Sequence, residues 1–268
     1  MFRLQRTGKV EYYTIDSFSD TGLVKHCFST RRGGVSGGVY ESMNLRQHCD
    51  DSKENIEKNF EILCSAIGID KEDLVLSKQV HEDKIMNVGR GDRGNGIWKE
   101  NKFKSADGLI TDEPGVALVT FYADCVPLYF LDPKKKVIAS VHSGWKGTVK
   151  RIGQKTVEKF AADYKSNPED IIAAIGPSIQ VCHFEVGRDV AEIFEKNFKS
   201  QVVEERGEKV FVNLQKAVAE QLSESGIRSE NITDSKICTY CNWEMLFSHR
   251  KTGGRRGNLA AVSELATN

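Results

Sequence analysis

Two residues with reactive side chains, a thiol and an imidazole, lie at the ends of neighbouring apolar segments. Cys125 precedes the apolar segment 126–131, and His142 ends the segment 137–142. Both segments are rich in β-branched and aromatic residues, which is typical of strands. The tip between them, 132–136, holds turn-forming and charged residues and is too short for a crossover. The pattern therefore predicts an antiparallel hairpin.

The register of this hairpin decides which chemistry the two residues can do. If Leu131 pairs with Lys136, Cys125 lies opposite His142, and directly opposed residues have Cβ atoms about 4.5–5.5 Å apart. A register shifted by one residue would place the two side chains on opposite faces of the sheet. We therefore predict that a thiol and an imidazole meet at the open end of the hairpin, next to Asp124.

Three interpretations of this pair remain open. Together with His81, which follows a predicted strand, Cys125 and His142 would form a good ligand set for an open zinc site, where the pKa of water falls toward ~7. Alternatively, Cys125 is a nucleophile and His142 its base, with Asp124 or Gln79 orienting the imidazole. In the third interpretation, both are buried sheet residues whose polar atoms are satisfied.

Anion-binding chemistry is indicated by a glycine-rich turn and two arginines. The turn follows the hairpin and precedes a helix predicted over 148–165, so its backbone N–H groups could cradle an anion; it comprises Gly144, Trp145, Lys146 and Gly147. Arg31 and Arg250 lie in or near other glycine-rich segments, and a guanidinium group fits phosphate or carboxylate. The alternative is that these are solvated surface turns and charges.

A Cys-x-x-Cys motif is formed by Cys238 and Cys241. Without a second pair or a thioredoxin-like context, such a motif is weak evidence for zinc or redox chemistry. The motif alone favours packing. His183, next to Cys182, is predicted to be a polar residue at a strand end.

Composition excludes several classes of function. The 268 residues include 38 basic and 38 acidic side chains, and a net charge of zero argues against nucleic-acid or membrane-surface partners. The N-terminus lacks the apolar stretch of a signal peptide, and the longest apolar run, 116–123, is too short to span a bilayer. The seven cysteines are irregularly spaced, which favours free thiols in a reducing compartment. We expect a cytoplasmic protein.

Strands and helices follow one another irregularly along the chain. An apolar stripe at helical spacing begins at Ile56 and ends before Gly68, which predicts a core helix. Further strands are predicted at 74–80 and 235–238. Runs of strands with interspersed helices are typical of the α+β class, and we see no domain boundary within 1–268.

The sequence resembles a known family through several motifs that occur in the family's order. They are 79–81 (QVH), 106–108 (ADG), 123–128 (ADCVPL), 141–147 (VHSGWKG), 176–179 (GPSI) with Cys182 and Glu185, and 238–239 (CT) through 247–250 (FSHR). The family is the YlmD/YfiH-like family, once called multicopper polyphenol oxidases or laccase-domain proteins and now described as purine nucleoside phosphorylases. The resemblance spans nearly the whole chain.

The resemblance implies a single α+β domain, in which mixed sheets pack between helical layers as an α/β/β/α sandwich. It implies zinc held by His81, Cys125 and His142. Copper suits the chain less well, because six histidines in total are few for a multicopper site. The implied reaction is phosphorolysis of adenosine, inosine, guanosine and methylthioadenosine, with adenosine deamination as a second activity. The implied partners are therefore a purine nucleoside and phosphate.

Roles follow for the remaining candidate residues. We expect Arg31, Gln79, Arg250 and the turn 144–147 to contact substrate or phosphate, and Asp124 and Glu185 to handle protons. A second hypothesis is a cysteine or zinc amidohydrolase that edits a muramyl-peptide cell-wall precursor, which would not depend on phosphate. A third is a zinc-binding protein without turnover.

Overall fold

The computed structural model describes residues 1–267, which form fifteen strands and seven α-helices. The strands are β1 (Phe2–Thr7), β2 (Val10–Ile15), β3 (Val24–Ser29), β4 (Leu74–Leu76), β5 (Ile85–Asn87), β6 (Gly108–Thr111), β7 (Ala117–Tyr122), β8 (Val126–Asp132), β9 (Val137–Ser143), β10 (Ile172–Ile175), β11 (Glu185–Val186), β12 (Val203–Arg206), β13 (Lys209–Val212), β14 (Ile232–Asp234) and β15 (Leu259–Leu265). The helices are α1 (Asp16–Ser19), α2 (Lys53–Ile67), α3 (Trp145–Val149), α4 (Ile152–Tyr164), α5 (Arg188–Asn197), α6 (Leu214–Glu224) and α7 (His249–Thr252).

The strands form two large mixed sheets and one small sheet. The first large sheet has the order β1-β2-β3-β15-β7-β4, and the second has the order β14-β10-β8-β9-β6-β5. Most neighbours are antiparallel, but β4 with β7, β5 with β6 and β10 with β14 are parallel pairs. Strands β11, β13 and β12 form the small sheet.

Three apolar clusters hold the layers together. Helix α2 packs its Phe60 side on the outer face of the first sheet. The inner faces of the two sheets meet through residues such as Phe28 and Tyr129. On the far side of the second sheet, Phe130 packs with helices α4 and α6. Tyr129 and Phe130 face different layers because successive strand residues point to opposite faces. The predicted α/β/β/α arrangement is confirmed.

The hairpin of β8 and β9 forms as predicted, but in a different register. Leu131 pairs with Ile138 rather than Lys136, and Pro127 rather than Cys125 pairs with His142. The predicted register was therefore wrong by two residues. Asp132 explains the shift, because its carboxylate accepts hydrogen bonds from the next two lysine N–H groups and closes a four-residue turn. A two-residue shift preserves the face on which each side chain lies.

Several element boundaries also differ from the predictions. The predicted helix over 148–165 is divided into α3 and α4 at Arg151, which has a left-handed φ of 60°. Strand β4 ends at Leu76, so His81 lies in a loop. The predicted strand over 235–238 is irregular except for a bridge between Ser178 and Cys238. Across residues 1–267, no helix is both long and apolar enough to cross a bilayer.

Candidate metal centre

Three side chains from three parts of the chain converge at the open end of the hairpin. We call His81, Cys125 and His142 the metal triad. Their ligand atoms all lie within 4.8 Å of one another. The two imidazole rings are nearly perpendicular, with centroids 4.9 Å apart. Cys125 precedes β8 and reaches His142 diagonally, which is the consequence of the shifted register.

A fully buried carboxylate, Asp107, orients the metal triad. One of its oxygens lies 2.9 Å from Nδ1 of His142. The same carboxylate accepts backbone hydrogen bonds from Val80, His81 and Glu82 at 3.0–3.1 Å. Asp107 therefore fixes the orientation of one imidazole and the loop that carries the other. An outer carboxylate of this kind is typical of histidine metal ligands. The sequence analysis included Asp107 in a motif but gave it no role.

Backbone conformation near the metal triad is unusual at two positions. His81 has a φ of 62° and Asp124 has a φ of 90°, in the left-handed region that L-residues with a side chain rarely adopt. Such conformations cost about 1–3 kcal/mol each and persist where surrounding contacts hold them. The hydrogen bonds from Asp107 provide those contacts at His81, and hydrogen bonds to Asp124 provide them at the second position.

Charge interactions within the metal triad favour a thiolate. Burial opposes ionisation of Cys125, but the neighbouring His142 and His81 outweigh it and lower the pKa of the thiol to about 6. Burial likewise opposes protonation of His142, yet the charges and hydrogen bonds of Cys125 and Asp107 raise its pKa to about 9. The metal-free site is therefore a thiolate–imidazolium pair at neutral pH. A cation would replace the imidazolium proton.

Gly144 closes one side of the metal triad. A Cβ atom at this position would lie 3.1 Å from Cδ2 of His81, 3.4 Å from Sγ of Cys125 and 3.5 Å from Cε1 of His142. Its φ of −71° is ordinary, so the close approach of the three ligands, and not backbone strain, makes glycine fit here.

A cavity of about 490 Å³ opens above the metal triad. Aromatic side chains and basic side chains line different parts of its wall; those relevant to ligand binding are Phe121, Phe184, Lys78, Arg250, Arg256, His48 and His249. This volume and mixture suit a small organic ligand with a planar apolar part and an anionic part. The sequence analysis singled out Arg250 from this set but gave no role to Arg256, His48 or Phe184.

Arg256 has unmet hydrogen-bonding capacity at the cavity. Its Nη1 bonds to the Gly257 carbonyl and to Oδ1 of Asn258, and its Nη2 lies 3.3 Å from Nδ1 of His249. Its buried Nε has no partner within the part of the chain that the structure describes. Burial and the nearby Arg46 charge lower its pKa. An anion in the cavity would offset the effect of burial and of the Arg46 charge on this guanidinium.

The two carboxylates predicted to handle protons occupy different environments. Asp124 lines the cavity, but Oδ1 accepts from the Thr239 hydroxyl and Oδ2 accepts from the Arg250 backbone N–H, each at 2.6 Å. Glu185 is not among the described residues that line the cavity, and its carboxylate accepts a hydrogen bond from Lys209 at 2.9 Å.

The predicted anion-binding residues separate into two groups. Arg250 lines the cavity and donates to the carbonyls of His183 and Glu185. Arg31 lines a different cavity, where it donates to the carbonyls of Glu41 and Trp243.

Gln79 lines the main cavity, but its amide is bonded to the backbone of Phe121. Trp145, Lys146 and Gly147 belong to the five-residue helix α3 and are absent from the described cavity lining.

The metal triad fits a zinc ion by the chemistry of its donors. Cys sulfur and His nitrogen are common zinc ligands, and three protein ligands leave one tetrahedral position open. The low pKa of Cys125 supplies the required thiolate, and Asp107 occupies Nδ1 of His142, which leaves Nε2 for a metal. A blue-copper site adds a weak axial ligand, commonly methionine. Among the described residues that line the cavity, none is a methionine.

Comparison with known proteins places this geometry in a family. A family model described as "Multi-copper polyphenol oxidoreductase laccase" matches residues 25–266. The purine nucleoside phosphorylase YlmD of Bacillus subtilis (strain 168) is 34% identical over 236 residues, covering 87% of this chain and 85% of that protein. A purine nucleoside phosphorylase of Bacteroides thetaiotaomicron is 32% identical over 253 residues, covering 92% and 93%.

Solved structures agree with these sequence matches. The crystal structure of YlmD from Geobacillus stearothermophilus superposes with a TM-score of 0.92 at 29% identity and covers 100% of both chains. Nearly the whole chain is thus matched by one family model, by relatives above 30% identity and by one fold. The chain belongs to the family described as multi-copper polyphenol oxidoreductase laccase, in which similar proteins carry the name purine nucleoside phosphorylase.

Proposed function

We propose that this protein is a zinc-dependent purine nucleoside phosphorylase. The observation that carries the proposal is the convergence of the metal triad with Arg250 and Arg256 in one aromatic-lined cavity. The relatives named purine nucleoside phosphorylase support the same reaction. Adenosine, inosine, guanosine and methylthioadenosine are the proposed substrates, and adenosine deamination is a proposed second activity.

Phosphorolysis requires a site for phosphate and a site for the purine ring in the same cavity. A phosphate oxygen forms a bond to C1′ of the ribose while the bond from C1′ to N9 breaks, and its electron pair leaves with the purine, which takes up a proton. Arg256 and Arg250, which both line the cavity, are suited to hold the phosphate. The ring of Phe184 or Phe121 is suited to stack on the purine.

The chain's own residues prepare the site for a metal. Zinc, when bound by the metal triad, would act as a Lewis acid and lower the pKa of water, which is the chemistry that deamination at C6 requires. Asp107 holds the His142 ring, and Gly144 allows the ligands to approach one another. We propose that Asp124 chiefly positions Arg250. A proton-handling role for Asp124 or Glu185 stays a prediction.

The cysteine inventory supports a cytoplasmic location. The seven cysteines are irregularly spaced rather than arranged as a disulfide framework, which favours a reducing compartment. The proposed substrates, nucleosides and phosphate, are small molecules of that compartment.

The test is phosphate-dependent release of hypoxanthine from inosine. We expect release by the zinc-loaded protein only when phosphate is present, with ribose 1-phosphate as the second product. His81→Ala and Cys125→Ala should each lose the activity together with one equivalent of zinc. Cys49→Ser is a matched control, because Cys49 is a free, half-buried thiol outside the metal triad. Full activity in metal-free His81→Ala or Cys125→Ala would refute the zinc role.

A hydrolase that acts through the thiol is the second candidate. Asp107, His142 and Cys125 also form the orienting acid, base and nucleophile of a cysteine-hydrolase arrangement. Such an enzyme would cleave an amide, for example in a muramyl peptide, without phosphate and without metal. Activity that persists after chelation and does not change with phosphate concentration would favour this candidate over the phosphorylase.

A further inference from the structure

A second group of metal-ligating side chains lies outside the metal triad. We call Cys182, His183, Cys238 and Cys241 the cysteine cluster. The four ligand atoms all lie within 4.8 Å of one another. The Cys-x-x-Cys motif alone favours packing, because it lacks a second pair of ligands in its own segment. The structure supplies that pair, Cys182 and His183, from a segment 55 to 59 residues earlier in the chain.

Four of the six separations within the cysteine cluster are within about 0.4 Å of those in a tetrahedral metal site. Zn–S bonds of about 2.3 Å and a Zn–N bond of about 2.0–2.1 Å require S···S edges of about 3.8 Å and S···N edges of about 3.6 Å. Sγ of Cys182 lies 3.6 Å from that of Cys238 and 3.8 Å from that of Cys241. Nδ1 of His183 lies 3.2 Å from Sγ of Cys182 and 3.4 Å from Sγ of Cys241.

Neighbouring groups support the ligands as an outer shell would. The backbone N–H of Gln180 donates to Sγ of Cys238 at 3.5 Å. Tyr240 stacks on the His183 ring with centroids 3.9 Å apart and so fixes the orientation of the imidazole. Nζ of Lys251 lies 4.8 Å from the centre of the Tyr240 ring, which places a positive charge beside the residue that stacks on His183. Zinc with three thiolates would carry one negative charge, which this lysine would offset.

The backbone around the cysteine cluster has little regular structure. Residues 176–184 and 235–248 are turns, bends and irregular segments apart from one bridge. These two segments nevertheless carry parts of the cavity wall. Ile179 and Phe184 line the cavity from the first segment, and His249 and Arg250 line it directly after the second. A metal that joins the two segments would hold this wall in place.

We propose that the cysteine cluster is a structural zinc site with a Cys₃His ligand set. The set fills all four tetrahedral positions, which is typical of structural zinc and leaves none for substrate. The protein would therefore bind two zinc ions per chain, one in each group of ligands. The second ion would cross-link the segments that carry Phe184 and Arg250 beside the cavity.

The test is the zinc content of the purified full-length protein, kept under a phosphine reductant and measured by inductively coupled plasma mass spectrometry. We expect two zinc ions in the wild type and in Cys49→Ser, and one in Cys182→Ser, Cys241→Ser and Cys125→Ser, in keeping with the two ligand groups. Cys182 and Cys241 are exposed, so their substitution to serine should preserve folding, which circular dichroism checks. Zinc affinity at the cysteine cluster should fall by more than about 100-fold in Cys182→Ser and in Cys241→Ser. Loss of a hydrogen-bond partner behind a ligand costs up to about 100-fold, and loss of the ligand itself should cost more.

A spectroscopic measurement is independent of the folding of these variants. Cys125→Ser, which keeps the cysteine cluster and lacks the thiol of the metal triad, is stripped of zinc with a chelator and then titrated with Co²⁺. We expect one tightly bound cobalt with a strong thiolate-to-metal charge-transfer band. A single zinc in the wild type that disappears in Cys125→Ser would overturn the proposal, as would a weak cobalt spectrum without the thiolate band. A Cys182–Cys238 or Cys182–Cys241 disulfide in freshly purified, unreduced protein would also count against it.

Discussion

The metal triad and the cysteine cluster use the same two ligand types but differ in number, support and exposure. The metal triad has three ligands, a buried His142 and a buried carboxylate behind it. The cysteine cluster has four ligands on two irregular segments, and two of its thiols are exposed. Three ligands beside a cavity leave one position of a metal open for substrate. Four ligands on irregular segments close the site and suit a metal that stabilises those segments in place of secondary structure.

The two groups are also physically connected. Arg250 donates to the carbonyl of His183, and Thr239, which follows Cys238, donates to Asp124 next to Cys125. Damage to the cysteine cluster should therefore reach the cavity indirectly, through the positions of wall residues. Damage to the metal triad should remove the chemistry itself.

The largest expected difference lies between two cysteine substitutions. Cys125→Ser should lower kcat/KM for inosine phosphorolysis by about 100- to 1,000-fold, the loss that follows removal of one electrostatic contributor at an active site. Cys182→Ser should lower it by less than about 10-fold, mainly through KM, because it acts through the cavity wall. Steady-state kinetics at fixed phosphate compare the two. Equal losses in both variants would contradict the division of roles.

In chelator-stripped protein, the half-buried Cys125 should react faster with an alkylating reagent than the exposed Cys182. Most of the Cys182 residue is exposed, but partial burial of its sulfur atom and the neighbouring Cys238 thiol raise its pKa to about 12. Cys125 is half-buried with a pKa of about 6. At pH 7 we expect Cys125 to react with iodoacetamide about 100-fold faster, since thiolate population outweighs the lower nucleophilicity of a low-pKa thiol. Peptide mass spectrometry after timed quenching measures both rates.

The pH dependence of this reaction has a definite sign. Below pH 6 the Cys125 thiolate takes up a proton, so its alkylation rate should fall about tenfold per pH unit. Above that value the rate should level off, because the thiolate is already formed. The pKa of His142 is raised to about 9, so the stabilising imidazolium persists through neutral pH. A midpoint near 8.5, the ordinary cysteine value, would show that the ion pair does not form.

Asp107→Asn tests the support behind the metal triad. The amide keeps the shape but removes the charge that holds the His142 proton and the loop N–H groups. Zinc affinity at the metal triad, measured by competition with a chromophoric chelator, should fall by about 10- to 100-fold. Asp132→Asn is the matched control, because Asp132 is an equally buried carboxylate at the other end of the same hairpin. Similar losses in both variants would indicate a general effect on folding.

Gly144→Ala should have the smallest effect and should be confined to the metal triad. The added methyl would lie 3.1 Å from Cδ2 of His81, which must move by a few tenths of an ångström, and 3.4–3.5 Å from the other two ligands. We expect zinc affinity to fall by about 10-fold, in the lower range for disturbed outer contacts, with the cysteine cluster unaffected. Gly37→Ala, where an added Cβ would meet nothing within 4 Å, is the control. Unchanged zinc affinity would show that the ligands adjust freely.

Local sequence patterns predicted part of the fold and site well. Helix α2 forms as expected, with its C-terminus at Gly68 in the left-handed conformation. The hairpin strands formed within one residue of the predicted ends. The register was wrong because turn geometry depends on the hydrogen bonds of Asp132, which alternation of residue types does not encode. The thiol of Cys125 and the imidazole of His142 still meet as predicted, because a register shift of two residues keeps both side chains on one face of the sheet.

Long-range contacts account for what the sequence did not reveal. Asp107 reaches its backbone partners across 25 to 27 residues. The residues that complete the Cys-x-x-Cys motif lie more than fifty residues before it. Arg31 has the same residue type as Arg256 and a glycine-rich context, yet it lies at another cavity. Residue type and spacing along the chain do not reveal which distant residues come into contact or which cavity they line.

The sequence by itself determined the secondary-structure class and the hairpin with its thiol and imidazole on one face, and, through family motifs, it predicted His81, Cys125 and His142 as a candidate ligand set. These properties depend on neighbouring residues or on motifs that are read along the chain. Only the tertiary structure decided that Asp107 supports the metal triad, that Arg256 lines the same cavity, and that three further cysteines and a histidine come together. Those outcomes depend on how two sheets and their connecting loops pack, because packing alone sets the distances between residues far apart in sequence.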